Sequence, residues 1–285
     1  MKRILIKYCF TSYLLLSFQF SFSQEFKNES GQKEKHFVYE VKQIDEFFER
    51  FNNDSSSFIR QIYKSKKTKY NLDRKKLIKS LFNYDTKSWE KNFIDSFVQK
   101  ALLIEMPTFK NWFAENWFAE AKCQFQYNFS VIDIPVILKL VTDEKKRSKW
   151  IIVGIRSGLP VEQQSSNSAI KVRSVKTKFI NPANHATNFI ELGKAFEDKD
   201  HLSDYFDNNF FYQKSAPEFY KALLNNNLKL RSVADVKYHF MNVNGYIFTV
   251  EYFPRESLNS GWLISSLKTA SINEKEGYKK NLLGQ

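Results

Sequence analysis

Two stretches of alternation constrain this chain more than any other feature in it. In residues 117–130, Trp117, Ala119, Ala121, Cys123, Phe125, Tyr127 and Phe129 alternate with Glu120, Lys122, Gln124, Gln126 and Asn128. In residues 228–241, Leu228, Leu230, Ser232, Ala234, Val236, Tyr238 and Phe240 alternate with mostly polar residues, among them Lys229, Arg231, Asp235, Lys237 and His239. A period of two over this length makes each stretch a half-buried β-strand, with one face on a core. After each comes a turn, a second apolar strand and a polar loop, then Trp150 or Trp262 opening a third strand. Asn244-Gly245 makes the second turn, because both residues tolerate positive φ. Asp133-Ile134-Pro135 takes that place in the first, with the register shifted by a residue. The order recurs, so the chain is expected to hold two copies of one module.

Apolar residues at helical spacing precede each set of strands. Phe37, Val41, Ile44, Phe48 and Phe51 predict an amphipathic helix. Phe58, Ile59, Ile62 and Tyr63 predict a short second helix, and Leu77, Ile78, Leu81 and Phe82 a third. Trp89, Phe93, Phe97 and Ala101 line a fourth, capped by Asp85 or Thr86 and stopped by Met106-Pro107. In the second half, Asn181-Pro182 opens a helix lined by Phe189, Leu192 and Phe196. Another helix is expected near residues 202–211. Ser215-Ala216-Pro217-Glu218 carries the capping-box pattern of a further one.

Helices followed by antiparallel strands define an α+β class, each module laying its N-terminal helices on a curved antiparallel sheet. The expected boundaries are a signal peptide at 1–23, a disordered leader at 24–36 and a first α+β module at 37–156. A linker at 157–180 follows, whose alternating Ile170 and Val172 also suit one strand. The second α+β module spans 181–272, and a charged flexible tail spans 273–285.

The first residues bear on location. Lys2, Arg3 and Lys7 precede an apolar stretch to about Phe20, and Ser21-Phe22-Ser23 suits cleavage before Gln24. The apolar run falls short of the roughly 20 residues that a transmembrane span needs. Cys9 lies too early for a lipoprotein cysteine and lacks the small residues before it. The expected protein is exported, periplasmic or extracellular, with no transmembrane segment after cleavage. It then keeps only Cys123, so no internal disulfide forms, and that thiol reads as a small buried hydrophobe. The formal charge of +13, from 44 Lys and Arg against 31 Asp and Glu, favours acidic partners: anionic headgroups, acidic glycans or nucleic acid. Export and the scatter of the lysines disfavour nucleic acid.

The opening helices, the long strands 117–130 and 228–241, the hairpin and the strands led by Trp150 and Trp262 together resemble the NTF2-like superfamily in tandem. The resemblance covers most of residues 37–156 and 182–271, and it is one of shape and order. The second copy departs from it in lacking an early strand between its helices, so a different cone-like α+β fold is the alternative. The resemblance implies isomerases, dehydratases or pure binding and assembly domains, and therefore does not choose among functions.

Chemistry is sparse. His36, His185, His201 and His239 have no ligand spacing, and no paired-cysteine site, phosphate-binding loop or GxSxG occurs. No metal or cofactor is expected. An enzyme of the resembled fold would use an acid and a phenol in an apolar pocket. Asp235, His239 and Tyr252 are the catalytic candidates, although alternation turns Asp235 and His239 away from the face of Tyr238. Trp112 and Phe118 are the candidates for an exposed aromatic patch that meets a ligand or partner, since alternation turns Phe118 away from Trp117. The first reading is an exported, non-enzymatic protein that binds a small molecule, a glycan or an envelope protein, with its modules free to pack as an internal pseudo-dimer. The second is an envelope isomerase or hydrolase using a pocket in one module. A third, a protein held to anionic envelope polymer by basic patches, predicts release by salt.

Overall fold

The computed structural model describes residues 40–55, 57–65, 73–105, 116–142, 147–156, 159 and 176–285. The expected signal peptide, the leader, most of the linker and Trp112 lie outside the described residues. Among the described residues, no helix is long and apolar enough to cross a membrane.

Helices come first: α1 (Ile44–Asn52), α2 (Phe58–Ser65), α3 (Arg74–Ser80) and α4 (Lys91–Ala101). A meander follows, of β1 (Trp117–Tyr127), β2 (Ser130–Thr142) and β3 (Ser148–Ile155). Short 3-10 helices at Pro182–Thr187, Leu202–Tyr205 and Asn208–Tyr212 then accompany α5 (Leu192–Glu197) and lead to α6 (Ala216–Leu224). A second meander, β4 (Leu228–Phe240), β5 (Tyr246–Phe253) and β6 (Gly261–Thr269), precedes α7 (Ile272–Leu283). The class is α+β, as expected.

The six strands form one open antiparallel sheet in the order β3-β2-β1-β4-β5-β6. β1 and β4 lie side by side at its centre, with Trp117 opposite Phe240 and Tyr127 opposite Leu228. β1 keeps the strict alternation of its sequence, whereas β4 breaks it twice. The pairing passes from Lys122–Asp235 to Cys123–Val233, skipping Ala234, and from Gln124–Ser232 to Phe125–Leu230, skipping Arg231. Val233, not Ser232 or Ala234, therefore shares the face of Cys123. Each bulge reverses the parity of the strand and the two cancel, so both ends of β4 obey the expected pattern.

Helices α1, α3 and α4 of the first half and α5 and α6 of the second cover one face of this sheet and share its core. Phe51 of α1 stacks on Phe248 at 6.0 Å, Phe47 on Phe240 at 6.1 Å, and Phe48 meets Trp117 edge-on at 5.4 Å. Phe196 and Phe219, from the second set of helices, meet Phe125 of β1 at 5.7 and 5.6 Å. Such pairs add about 0.5–1.5 kcal/mol each beyond the area they bury. The aromatic abundance is therefore largely spent on one interior.

Several boundaries differ from the sequence expectation, for local reasons. α1 starts at Ile44, because Gln43 is extended and Val41 instead bridges Gly261 beside β6. Phe82 bridges Ile264 on the same edge, and Ile180 and Phe206 bridge Trp150 and Ile152 on the β3 edge. Both outer strands are thus partly covered, which satisfies groups that an open edge would present. The first hairpin turns at Asn128-Phe129, where Asn128 takes the left-handed φ of 51°, and the Asp133–Pro135 segment lies within β2. In the second hairpin only Gly245 has positive φ, 79°. Asn181-Pro182 opens a 3-10 turn instead of an α-helix, and Ser215 makes no side-chain cap. The capping box forms elsewhere, between Ser271 and Glu274. It starts α7 where a flexible tail was expected, and Gly284 closes that helix in the left-handed conformation.

Candidate functional site

The face of the sheet away from the helical core is where the sequence candidates gather. Phe118, Glu120 and Lys122 of β1 lie there against His239, Lys237 and Asp235 of β4. α7 lies over part of this face. Leu282 and Leu283 close over Phe118, Ile137, Met241 and Ile247, a small apolar cluster separate from the main core. The Lys275 ammonium donates to the carbonyls of Met241 and Val243 at 2.7 and 2.6 Å. Phe118 is therefore 1% exposed, and the expected exposed aromatic contact at this position is corrected. Alternation assigns its face rightly, but the C-terminal helix covers that face.

Beneath α7 lies a constellation of titratable groups. His239 Nε2 is 2.9 Å from Glu120 Oε2, and His239 Nδ1 is 2.7 Å from the Tyr278 hydroxyl. Arg156 pairs with the other Glu120 oxygen. A carboxylate only accepts, so the proton belongs on Nε2, and Nδ1 accepts from the Tyr278 hydroxyl. Burial pushes His239 below the ordinary imidazole value, against the pull of Glu120. Burial alone would raise the Glu120 carboxyl, but the hydrogen bond from His239 and the charges of His239, Arg156 and Lys237 outweigh it and hold it low. Burial pushes the Tyr278 hydroxyl up to about 12. A Glu–His–Tyr chain has the parts of a proton relay. Here both ring nitrogens are occupied by protein groups and His239 is 4% exposed, so no position is left for a reacting atom.

The other catalytic candidates stand apart from it. Asp235 is exposed and lies opposite Lys122. Tyr252 is on the other side of the sheet, packed on Trp262 at 5.5 Å, and its hydroxyl donates to Glu40 at 2.8 Å. Burial, then that hydrogen bond, pushes it up to about 12. The expected set does not converge on one cavity. Tyr238 is fully buried between Trp117 and Trp262, which suits packing. Burial, and after it the Asp45 charge, pushes its phenol far up.

The remaining described histidines also tie chain segments together. His185 Nδ1 is 2.7 Å from the Pro182 carbonyl, and its Nε2 is 3.2 Å from Asp45 of α1. His201 is 3.0 Å from Asp198. Among the described residues no group of three or more His, Cys, Asp or Glu side chains is placed to hold a metal. A shallow concavity of about 490 Å³ lies between the Asn244-Gly245 turn and Ser271, Asn273 and Lys275. Its wall is the capped start of α7, whose leading donors Ser271 and Glu274 already satisfy.

Sequence reasoning missed the most exposed aromatic of the described residues. Phe129 continues the core-facing series on paper, but the left-handed Asn128 swings it out at the hairpin tip, where it is wholly exposed. The asparagine is the signal that was available. The Asn128 amide donates to the Asn227 carbonyl at 3.1 Å, joining this tip to the α6–β4 turn. Val131 and Leu224 are exposed at the same end, as are Lys229 and Arg231. Residues 124–132 and 224–232 contain no Asp or Glu. No known protein family, curated protein or solved structure matches the chain.

Proposed function

We propose that this is an exported, non-enzymatic protein of the cell envelope that binds a partner through an exposed end of its sheet. The observation that carries the reading is the occupation of His239 on both ring nitrogens, by Glu120 and Tyr278, under a docked helix. This acid–base group thereby ties the last helix to the sheet. What the protein offers outward is the hairpin tip with the wholly exposed Phe129. The basic n-region, apolar run and small residues of 1–23 support export.

The symmetric strand order, two meanders running outward from adjacent β1 and β4, supports reading the halves as copies of one module merged as a pseudo-dimer. The tandem NTF2-like reading rests on that recurrence. The test of function is fractionation of the native cell envelope. The protein should travel with the envelope, Phe129→Ala should release it, and Asp235→Asn and Tyr252→Phe should not. An unchanged distribution for Phe129→Ala would sink the reading.

A further inference from the structure

The end of the sheet that carries Phe129 has a composition of its own. Two turns meet there, Asn128-Phe129 and residues 225–227, tied by the Asn128–Asn227 backbone hydrogen bond. Exposed at this end are the apolar side chains of Phe129, Val131 and Leu224. Lys229 lies opposite Gln126, two pairs from the tip. Arg231 is the extra residue of a bulge, the position at which a strand re-aims a side chain, and it is exposed. The Lys199 ammonium is anchored on the Phe196 and Leu223 carbonyls, close enough to Lys229 to feel its charge. The nearest acids along the strands are Asp133 of β2, opposite Gln124 and 3.9 Å from Lys122, and Asp235 of β4, opposite Lys122. Glu197 is the acid that faces Lys199.

Resting on the binding reading above, we infer that the Asn128-Phe129 tip docks on an anionic lipid surface, with Phe129 entering the headgroup layer and Lys229 and Arg231 on lipid phosphates. Three features choose a bilayer over a protein. The apolar set is three side chains, Phe129, Val131 and Leu224, whereas a stable protein interface needs on the order of 800 Å² from each partner. A soft layer of headgroups needs no complementary concavity, and it takes an aromatic ring at its boundary with the acyl chains. The exposed cations at the same end of the sheet, Lys229 and Arg231, match anionic headgroups, and the whole chain carries +13. The ring is presented by a two-residue turn between paired strands, so little conformational entropy is lost when it inserts.

The test is co-sedimentation of the mature protein with vesicles of phosphatidylcholine alone and of equal parts phosphatidylcholine and phosphatidylglycerol. Binding should appear with the anionic vesicles and weaken as salt is raised. It should fall about tenfold in Phe129→Ala and again in Lys229→Glu/Arg231→Glu, a tenfold change corresponding to about 1.4 kcal/mol. Phe129→Trp should retain it. Phe129 is wholly exposed, so the melting temperature of the alanine variant should match the parent and exclude misfolding. Equal binding to both vesicles, or binding indifferent to Phe129, overturns the inference. So does an absence of binding to either vesicle. If the protein still leaves the envelope when Phe129 is changed, the binding reading survives and its partner is an envelope protein or glycan.

Discussion

Gly154 of β3 lies so close under the last turn of α7 that a methyl group on it would stand 2.7 Å from the Leu283 backbone oxygen and 2.9 Å from its Cα. Those are backbone atoms, which cannot swing aside as a flexible side chain can. Gly154→Ala should therefore lift the end of α7 from the sheet, at a cost of about 1–3 kcal/mol. The check is hydrogen exchange: protection should drop across residues 272–283 and much less in β1. Gly277 lies in the same helix with nothing near its would-be Cβ. Gly277→Ala should stabilise by about 0.5–1 kcal/mol, since only the helix preference of alanine is gained. Equal effects of the two substitutions would refute this account of the docking.

The His239 site gives stability a defined pH dependence. Burial holds the imidazole below its ordinary value of about 6.5, so the unfolded chain takes up this proton first on acidification. The contribution is complete above about pH 6.5 and is lost as pH falls through the lower folded value. Glu120, also held low, adds a second loss below its ordinary value of about 4.3. Tyr278→Phe removes the donor to Nδ1 and should cost about 1 kcal/mol at neutral pH. It should also flatten the slope below pH 6.5, because an imidazole without that donor protonates more easily. Thermal melts of parent and variant between pH 5 and 8 test both parts. A slope unchanged by the substitution would mean that other groups set it.

The contrast between these sites and the sequence reading has physical causes. Strand alternation made the face of each β1 residue legible, Phe118 and Glu120 included, because a period of two leaves no choice of side. It could not say what covers the second face. α7 buries only Leu282 and Leu283 along its length, too little apolar periodicity to separate a docked helix from a charged tail. The capping-box pattern occurs both at Ser215–Glu218, where no side-chain cap forms, and at Ser271–Glu274, where the box closes, so the pattern alone does not locate the cap. The bulges at Arg231 and Ala234 leave no mark of their own in the sequence. They follow from pairing with β1, a contact across more than 100 residues. The His239–Glu120–Tyr278 chain is hidden for the same reason, since its three members meet only when both meanders and the last helix are assembled.

Tyr238 carries a buried hydroxyl that has no hydrogen-bond partner among the described residues. An unsatisfied buried hydroxyl costs about 1–3 kcal/mol of desolvation. Tyr238→Phe keeps the ring packed on Trp117 and Trp262 and removes that cost. Denaturant unfolding should show the variant to be as stable as the parent or more so. A loss above about 1 kcal/mol would mean that the hydroxyl is bonded in solution, with an interior water the natural partner.

Cys123 tests whether the two halves form one cooperative unit. It lies in the middle of β1, between Ile134 of β2 and Val233 of β4, with no exposure. Burial pushes its thiol far up. The thiolate is the species that reacts, so labelling requires the central strands to part. Both sets of helices pack on these strands, through pairs such as Phe48–Trp117 and Phe125–Phe219. Loss of either half therefore strips part of the other's core, and a single unfolding transition is expected. Labelling should be negligible under native conditions, and its denaturant midpoint should coincide with the loss of far-ultraviolet circular dichroism. Reactivity that appears while half of the dichroism remains would show the modules unfolding separately, with the β1–β4 seam as the weak joint.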